Sequence, residues 1–128
     1  LIFTITGRIG TVAVVPEAFG QGNINQHNVR IHLKDSVNED FIAAFFNTNL
    51  GNQMSLRRVS GGTRVALDYP SISALQIPVP PLSIQKKIAK EVKSRREQAR
   101  RLQQEAKEVV EKAKEEVERM ILGESEKD

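Results

Sequence analysis

Apolar and polar positions run with two different periods along this chain. Residues Leu1–Ile5 and Ile9–Val15 are rich in β-branched side chains and are joined through Gly7-Arg8-Ile9-Gly10. That pattern predicts two short strands around a tight turn. Pro16–Gly22 reads as a loop. Asn28–Leu33 alternates, with Val29, Ile31 and Leu33 on one face and Arg30 and His32 on the other, as in a half-buried strand. The period then changes. Phe41, Ile42, Phe45, Phe46 and Leu50 form one helical stripe. Ser36 fits its N-cap, with Glu39 completing a capping box, and Gly51 its C-cap. A second short helix is predicted over 52–59. Ser60-Gly61-Gly62 breaks the chain, a short strand follows at Val65–Leu67, Ile72–Leu75 reads as a turn or short helix, and Gln76–Val79 as a strand end.

From Ser83, read as an N-cap, a helix is predicted to about Leu122, with Gly123 ending it and 124–128 as a flexible tail. Ile88, Val92, Arg95, Ala99, Leu102, Ala106, Val109 and Ala113 recur at alternating spacings of four and three, which is a heptad seam. Such a helix spans roughly 55 Å at 1.5 Å per residue. A seam that long asks for a partner helix, and three alanines spaced by seven allow close approach. The fold class expected is α+β: a small mixed β globule with short helices over 1–82, followed by one long coiled-coil helix over 83–123.

Charge sharpens this division. The 128 residues carry 19 Lys+Arg and 16 Asp+Glu, for a net charge of +3. Residues 83–128 hold 13 of the basic and 11 of the acidic groups. Within the helix the signs separate, with Lys86 to Arg101 mostly basic and Glu105 to Glu118 mostly acidic. This order opposes the helix dipole, but two such helices laid antiparallel would match basic to acidic halves. A solvated face with local ion pairs would give the same composition. No cysteine is present, which removes disulfides, thiolate nucleophiles and zinc–thiolate sites. No apolar run reaches the length of a membrane helix, so a cytoplasmic protein without membrane contact is expected. Leu1 opens directly on a strand pattern with no charged n-region before it, which reads as a piece beginning inside a domain and not as a signal peptide.

Little here suggests catalysis. His27 and His32 are five apart with no cysteine nearby, a poor metal spacing. Neither glycine turn is a P-loop or a dinucleotide fingerprint. No catalytic residue, metal or cofactor is expected. The globule instead offers polar and basic loops. Arg8 sits in a glycine turn, and Gln26 and His27 lie in an amide-rich run. Arg57, Arg58, Thr63 and Arg64 surround Gly61-Gly62. Arginines and amides pair with base edges in the major groove, and Arg, Ser and Thr bind phosphates. These seven residues are the candidate DNA contacts, although ordinary solvated loops share their composition.

Three segments together resemble the specificity subunit of type I restriction-modification enzymes. They are Gly7-Arg8-Ile9-Gly10 after a strand, the helix Phe41–Leu50 ending at Gly51, and Ile77-Pro78-Val79-Pro80-Pro81-Leu82-Ser83-Ile84-Gln85-Lys86-Lys87-Ile88-Ala89. Ile84 stands where the family often has Glu. The resemblance implies part of a target recognition domain followed by the family's long helix, which packs antiparallel on another. It implies a non-catalytic module that binds double-stranded DNA and positions methyltransferase and restriction subunits. The seam itself, with no second helix in the chain long enough to cover it, predicts a homodimer through Ile88, Val92, Ala99, Leu102, Ala106, Val109 and Ala113. The recognition region of a fused restriction-methyltransferase would look similar. A coiled-coil assembly protein without DNA binding is the alternative from another class.

Overall fold

The computed structural model describes residues 1–123. The chain divides into two compact units, Leu1–Lys90 and the segment from Glu91 onward, with the break inside the last helix.

In the first unit, β1 (Ile2–Thr4) is the centre of a three-stranded antiparallel sheet, between β2 (Val12–Ala13) and β3 (Asn28–Arg30). Phe3 pairs with Val12 on one side and Val29 on the other, so all three project to one face. Phe3 is completely buried. Its ring meets Phe46 edge to face at 5.3 Å, in the geometry aromatic quadrupoles favour. Leu1, Ile9, Phe41, Ile42, Leu67 and Ala89 complete the core around this pair. The strands are shorter than the β-branched runs predict, because the flanking residues bond irregularly. A single-turn 3-10 helix, Glu17–Phe19, interrupts the loop after β2.

The helical stripe breaks earlier than expected. α1 covers Glu39–Phe46, and α2 begins at Asn49 and runs to Leu56. Asn38 and not Ser36 caps α1: its side chain accepts from the Phe41 N–H at 2.9 Å. Glu39 and Asp40 sit in the first turn, where the dipole favours them. Thr48 caps α2 by accepting from the Gly51 N–H, so Gly51 lies inside a helix and is not a C-cap. It is glycine because α2 closes on the end of α1. A Cβ there would collide with the Phe45 carbonyl oxygen. Leu50 consequently leaves the buried stripe and is 62% exposed.

Further on, Val65–Leu67 does not form a strand. It contributes one antiparallel bridge, Ser60 to Ala66, and one hydrogen bond from the Leu67 N–H to the Ile5 carbonyl. α3 is a single turn, Tyr69–Ser73, earlier than the turn predicted at Ile72–Leu75, and Gln76–Val79 forms no strand. α4 runs from Leu82 to Ile121, 40 residues. It opens on the Pro81 carbonyl, which accepts from the Ile84 and Gln85 N–H groups. Ser83 therefore lies within the helix and does not cap it. Pro81, whose ring fixes a φ compatible with helix entry, precedes the first helical residue, two positions before Ser83.

Gln85 is 1% exposed in α4's first turns. Its side-chain oxygen accepts from the Asn38 N–H at 2.8 Å. Its amide donates to the Pro80 carbonyl at 2.7 Å and the Ser36 carbonyl at 3.2 Å. Every buried polar atom it carries is thereby satisfied.

In the second unit α4 continues with local pairs on its own surface. Arg95 bonds Glu91 and Lys114 bonds Glu111, each at 2.7 Å. From Lys93 to Gly123 every residue is exposed. Gly123 adopts φ +72° and donates to the Met120 carbonyl, which stops the helix. The tail expected at 124–128 lies outside the described residues.

Candidate nucleic-acid interface

Segments that carry the candidate residues are tied to the C-terminal end of β1 and the turn after it. Ile5 donates its N–H to the His27 carbonyl and accepts the Leu67 N–H, both near 2.9–3.0 Å. One residue therefore holds the start of β3 on one side and the end of the Ser60–Ala66 bridge on the other. Thr6, Gly7 and Arg8 follow it directly. The turn closes through the Gly10 N–H on the Thr4 carbonyl and the Thr11 N–H on the Arg8 carbonyl.

The glycines at the two ends of this turn differ. Gly7 has φ +66° and open space where a Cβ would be. Gly10 has φ +83°, and a Cβ there would fall 2.9 Å from Ser55 Cβ. The turn is thus seated on α2, and Asn52 secures it by donating to the Ile9 carbonyl at 2.9 Å. α2 ends in Arg57, at its C-cap, and Arg58, a position where cations also complement the dipole. The chain then enters the bridge that encloses Gly61-Gly62-Thr63-Arg64. Gly61 has φ +110° and a Cβ there would meet the Arg64 carbonyl oxygen at 2.5 Å, so this turn also requires glycine.

Arg8, Gln26, His27, Arg57, Arg58, Thr63 and Arg64 are all exposed. The backbone bonds just described bring their loops to one end of the sheet. Two neighbouring amides are used differently from the pattern expected of a polar loop. Asn25 Oδ1 accepts from the His27 N–H at 3.1 Å and from Asn28 Nδ2 at 2.7 Å. They brace the loop and leave Gln26 and His27 presented. Thr6, which the sequence does not single out, meets His27 Nδ1 through its hydroxyl at 2.6 Å. No local signal could have revealed this pair, since 21 residues separate its members. Asn47 was equally silent: its amide accepts from the Val12 N–H and donates to the Val12 carbonyl, covering the open edge of β2.

At the bridge's exit Asp68 caps α3. The Ser71 hydroxyl and backbone N–H hold its carboxyl below the ordinary carboxylate value. The opposite end of the sheet carries an open cavity of about 940 Å³ between the loop after β2 and the residues following β3. Val14, Phe19, Ile24, Arg30 and His32 are among its lining residues, and none of the seven candidates lines it. Among the described residues no group of three His, Asp or Glu side chains is placed to hold a metal. No helix among them is long and apolar enough to cross a membrane.

The family model for the type I restriction modification DNA specificity domain matches residues 1–112. The chain belongs to that family. The match runs through the sheet, the short helices and most of α4, so the specificity-domain assignment covers both units. No curated protein and no solved structure matches the chain significantly. The α+β class expected from the sequence stands: a small antiparallel sheet, short helices and a long C-terminal helix.

Proposed function

We propose that this specificity-domain chain reads double-stranded DNA through the loops at the C-terminal end of β1, and that α4 assembles it with partner subunits. The reading is supported by the exposure of Arg8, Gln26, His27, Arg57, Arg58, Thr63 and Arg64, together with the backbone bonds of Ile5 to His27 and Leu67 that tie two of their loops to one end of the sheet. Of the six Lys and Arg residues in 1–82, four, all arginines, lie in that set. Arginine forks pair with guanine edges and phosphates alike, so one surface serves both positioning and readout.

The chain supplies no reaction of its own in this reading. Its work is differential binding, with the methyltransferase and restriction subunits of a type I system held on the selected site. The seam Ile88, Val92, Ala99, Leu102, Ala106, Val109 and Ala113 takes an antiparallel helix, and a second copy matches it. The Lys86–Arg101 half then faces the Glu105–Glu118 half. In this reading the recognition role belongs to 1–82 and the assembly role to 83–123, with α4 itself running from Leu82 to Ile121.

Replacement of Arg57, Arg58 and Arg64 together by alanine tests the DNA surface, in the chain assembled with its modification subunits. Affinity should fall, and the slope of log K against log salt should shrink by about one for each phosphate no longer neutralised. Unchanged affinity, specificity and slope would leave only the assembly-protein reading.

A further inference from the structure

His27 is exposed, yet it is held more firmly than exposed side chains usually are. Its carbonyl accepts from Ile5 at 2.9 Å, its N–H donates to Asn25 Oδ1 at 3.1 Å, and its ring Nδ1 meets the Thr6 hydroxyl at 2.6 Å. The brace extends further, because Asn28 bonds Asn25 at 2.7 Å and Thr4 bonds Asn28 at 3.3 Å. Both the backbone and the ring of His27 are thus fixed. Among the described residues Nε2 has no partner, and the Thr6 hydroxyl has no acceptor other than Nδ1. A threonine hydroxyl can donate to Nδ1 or accept from it; in the tautomer that has it donating, the ring proton of a neutral imidazole lies on Nε2.

Resting on the reading of these loops as the DNA surface, we propose that His27 is a specificity-determining residue whose Nε2–H reads a purine, with Thr6 as its positioning residue. A fixed N–H donor seeks an acceptor edge. In the major groove guanine offers N7 and O6, and adenine N7, with no group crowding them, whereas thymine O4 stands beside the C5 methyl, which obstructs a ring tied in place. A ring already held in place loses little freedom on binding, so its contact discriminates at small entropic cost. The exposed arginines of the other loops can reach phosphate from many rotamers, whereas the bond to Thr6 ties the His27 ring to one arrangement.

The test uses the chain assembled with its modification subunits and a library of DNA duplexes of randomised sequence. Selection with the unmodified protein should return a purine at one position that His27→Ala no longer specifies. Preference there should fall about tenfold, with the other positions and the salt slope unchanged. A 7-deazapurine at that position should weaken the unmodified protein equally. Thr6→Val, which keeps the shape and removes the hydroxyl, should reproduce His27→Ala and add nothing to it in the double variant. Thr6→Ser should keep the preference. A pyrimidine at that position, an even loss at all positions with a smaller salt slope, or full discrimination by Thr6→Val would each overturn the proposal. The triple arginine variant separates the two levels. If it loses affinity while His27→Ala and Thr6→Val bind as before, only the role of His27 falls. If it too binds as before, the DNA surface falls and this inference with it.

Discussion

The two units treat the same kinds of side chain in opposite ways. In the first, Phe3, Val12, Ile42 and Leu67 are buried, and one glutamine, Gln85, is buried with them on three hydrogen bonds. In the second, Leu102, Val109, Val117 and Met120 are between 53 and 66% exposed. Local ion pairs such as Arg95–Glu91 hold charges on its surface, and such exposed pairs are worth only about 0.3–0.5 kcal/mol each. A buried apolar residue of the first unit therefore reports on folding, whereas the exposed ones on the helix would report on association in the proposed assembly.

Paired substitutions make that contrast measurable. The largest effect belongs to Phe3→Ala, which should cost about 3–5 kcal/mol in chemical denaturation, because the cavity left beside Phe46 cannot collapse between two strands. Leu102→Glu, at an exposed site, should leave that unfolding midpoint in place and instead lower the mass seen by light scattering at tens of micromolar protein. A shared loss of unfolding free energy in both variants would erase the distinction.

Gln85→Met probes the polar part of the core. It keeps the volume but leaves the Asn38 N–H and the Ser36 and Pro80 carbonyls without their partner, for a loss of about 2–3 kcal/mol. If the variant is as stable as the parent in urea, the buried amide is replaceable by packing alone. The smallest effect is acidic. The Asp68 carboxyl titrates lower in the folded chain than in the unfolded one, so its contribution is present above the ordinary carboxylate value near 3.8 and is lost as pH falls through the lower, folded value. Asp68→Asn should flatten that acid limb of a stability-versus-pH curve, and a limb of unchanged slope would assign it to other carboxylates.

Much of this was legible in the chain itself. The alternation from Asn28 marks β3, although the strand ends at Arg30 and not at Leu33, the Phe41–Phe46 stripe marks α1, and the heptad spacing marks α4. Each is a short-range period, and secondary structure is set at short range. What stayed hidden depends on contacts between distant segments. Asn38 and not Ser36 is the cap because α1 begins at Glu39, and the Asn38 N–H is held there by Gln85, 47 residues away. Gly51 reads as a terminator until α2 is seen to press on the Phe45 carbonyl. The candidate arginines could be picked by type and by their glycine neighbours. Their convergence could not, because Ile5 joins His27 and Leu67 only in three dimensions.

The turn that carries Arg8 is built asymmetrically, closed at Gly10 against Ser55 and open at Gly7. Whatever occupies its tip is insulated from the core by a fixed foundation. Side chains at Thr6 and Arg8 can be exchanged without repacking Phe3 or Phe46. If these loops choose the target as proposed, a scaffold of this kind separates the cost of staying folded from that choice, so that surface substitutions can alter sequence preference without disturbing the sheet and helices beneath.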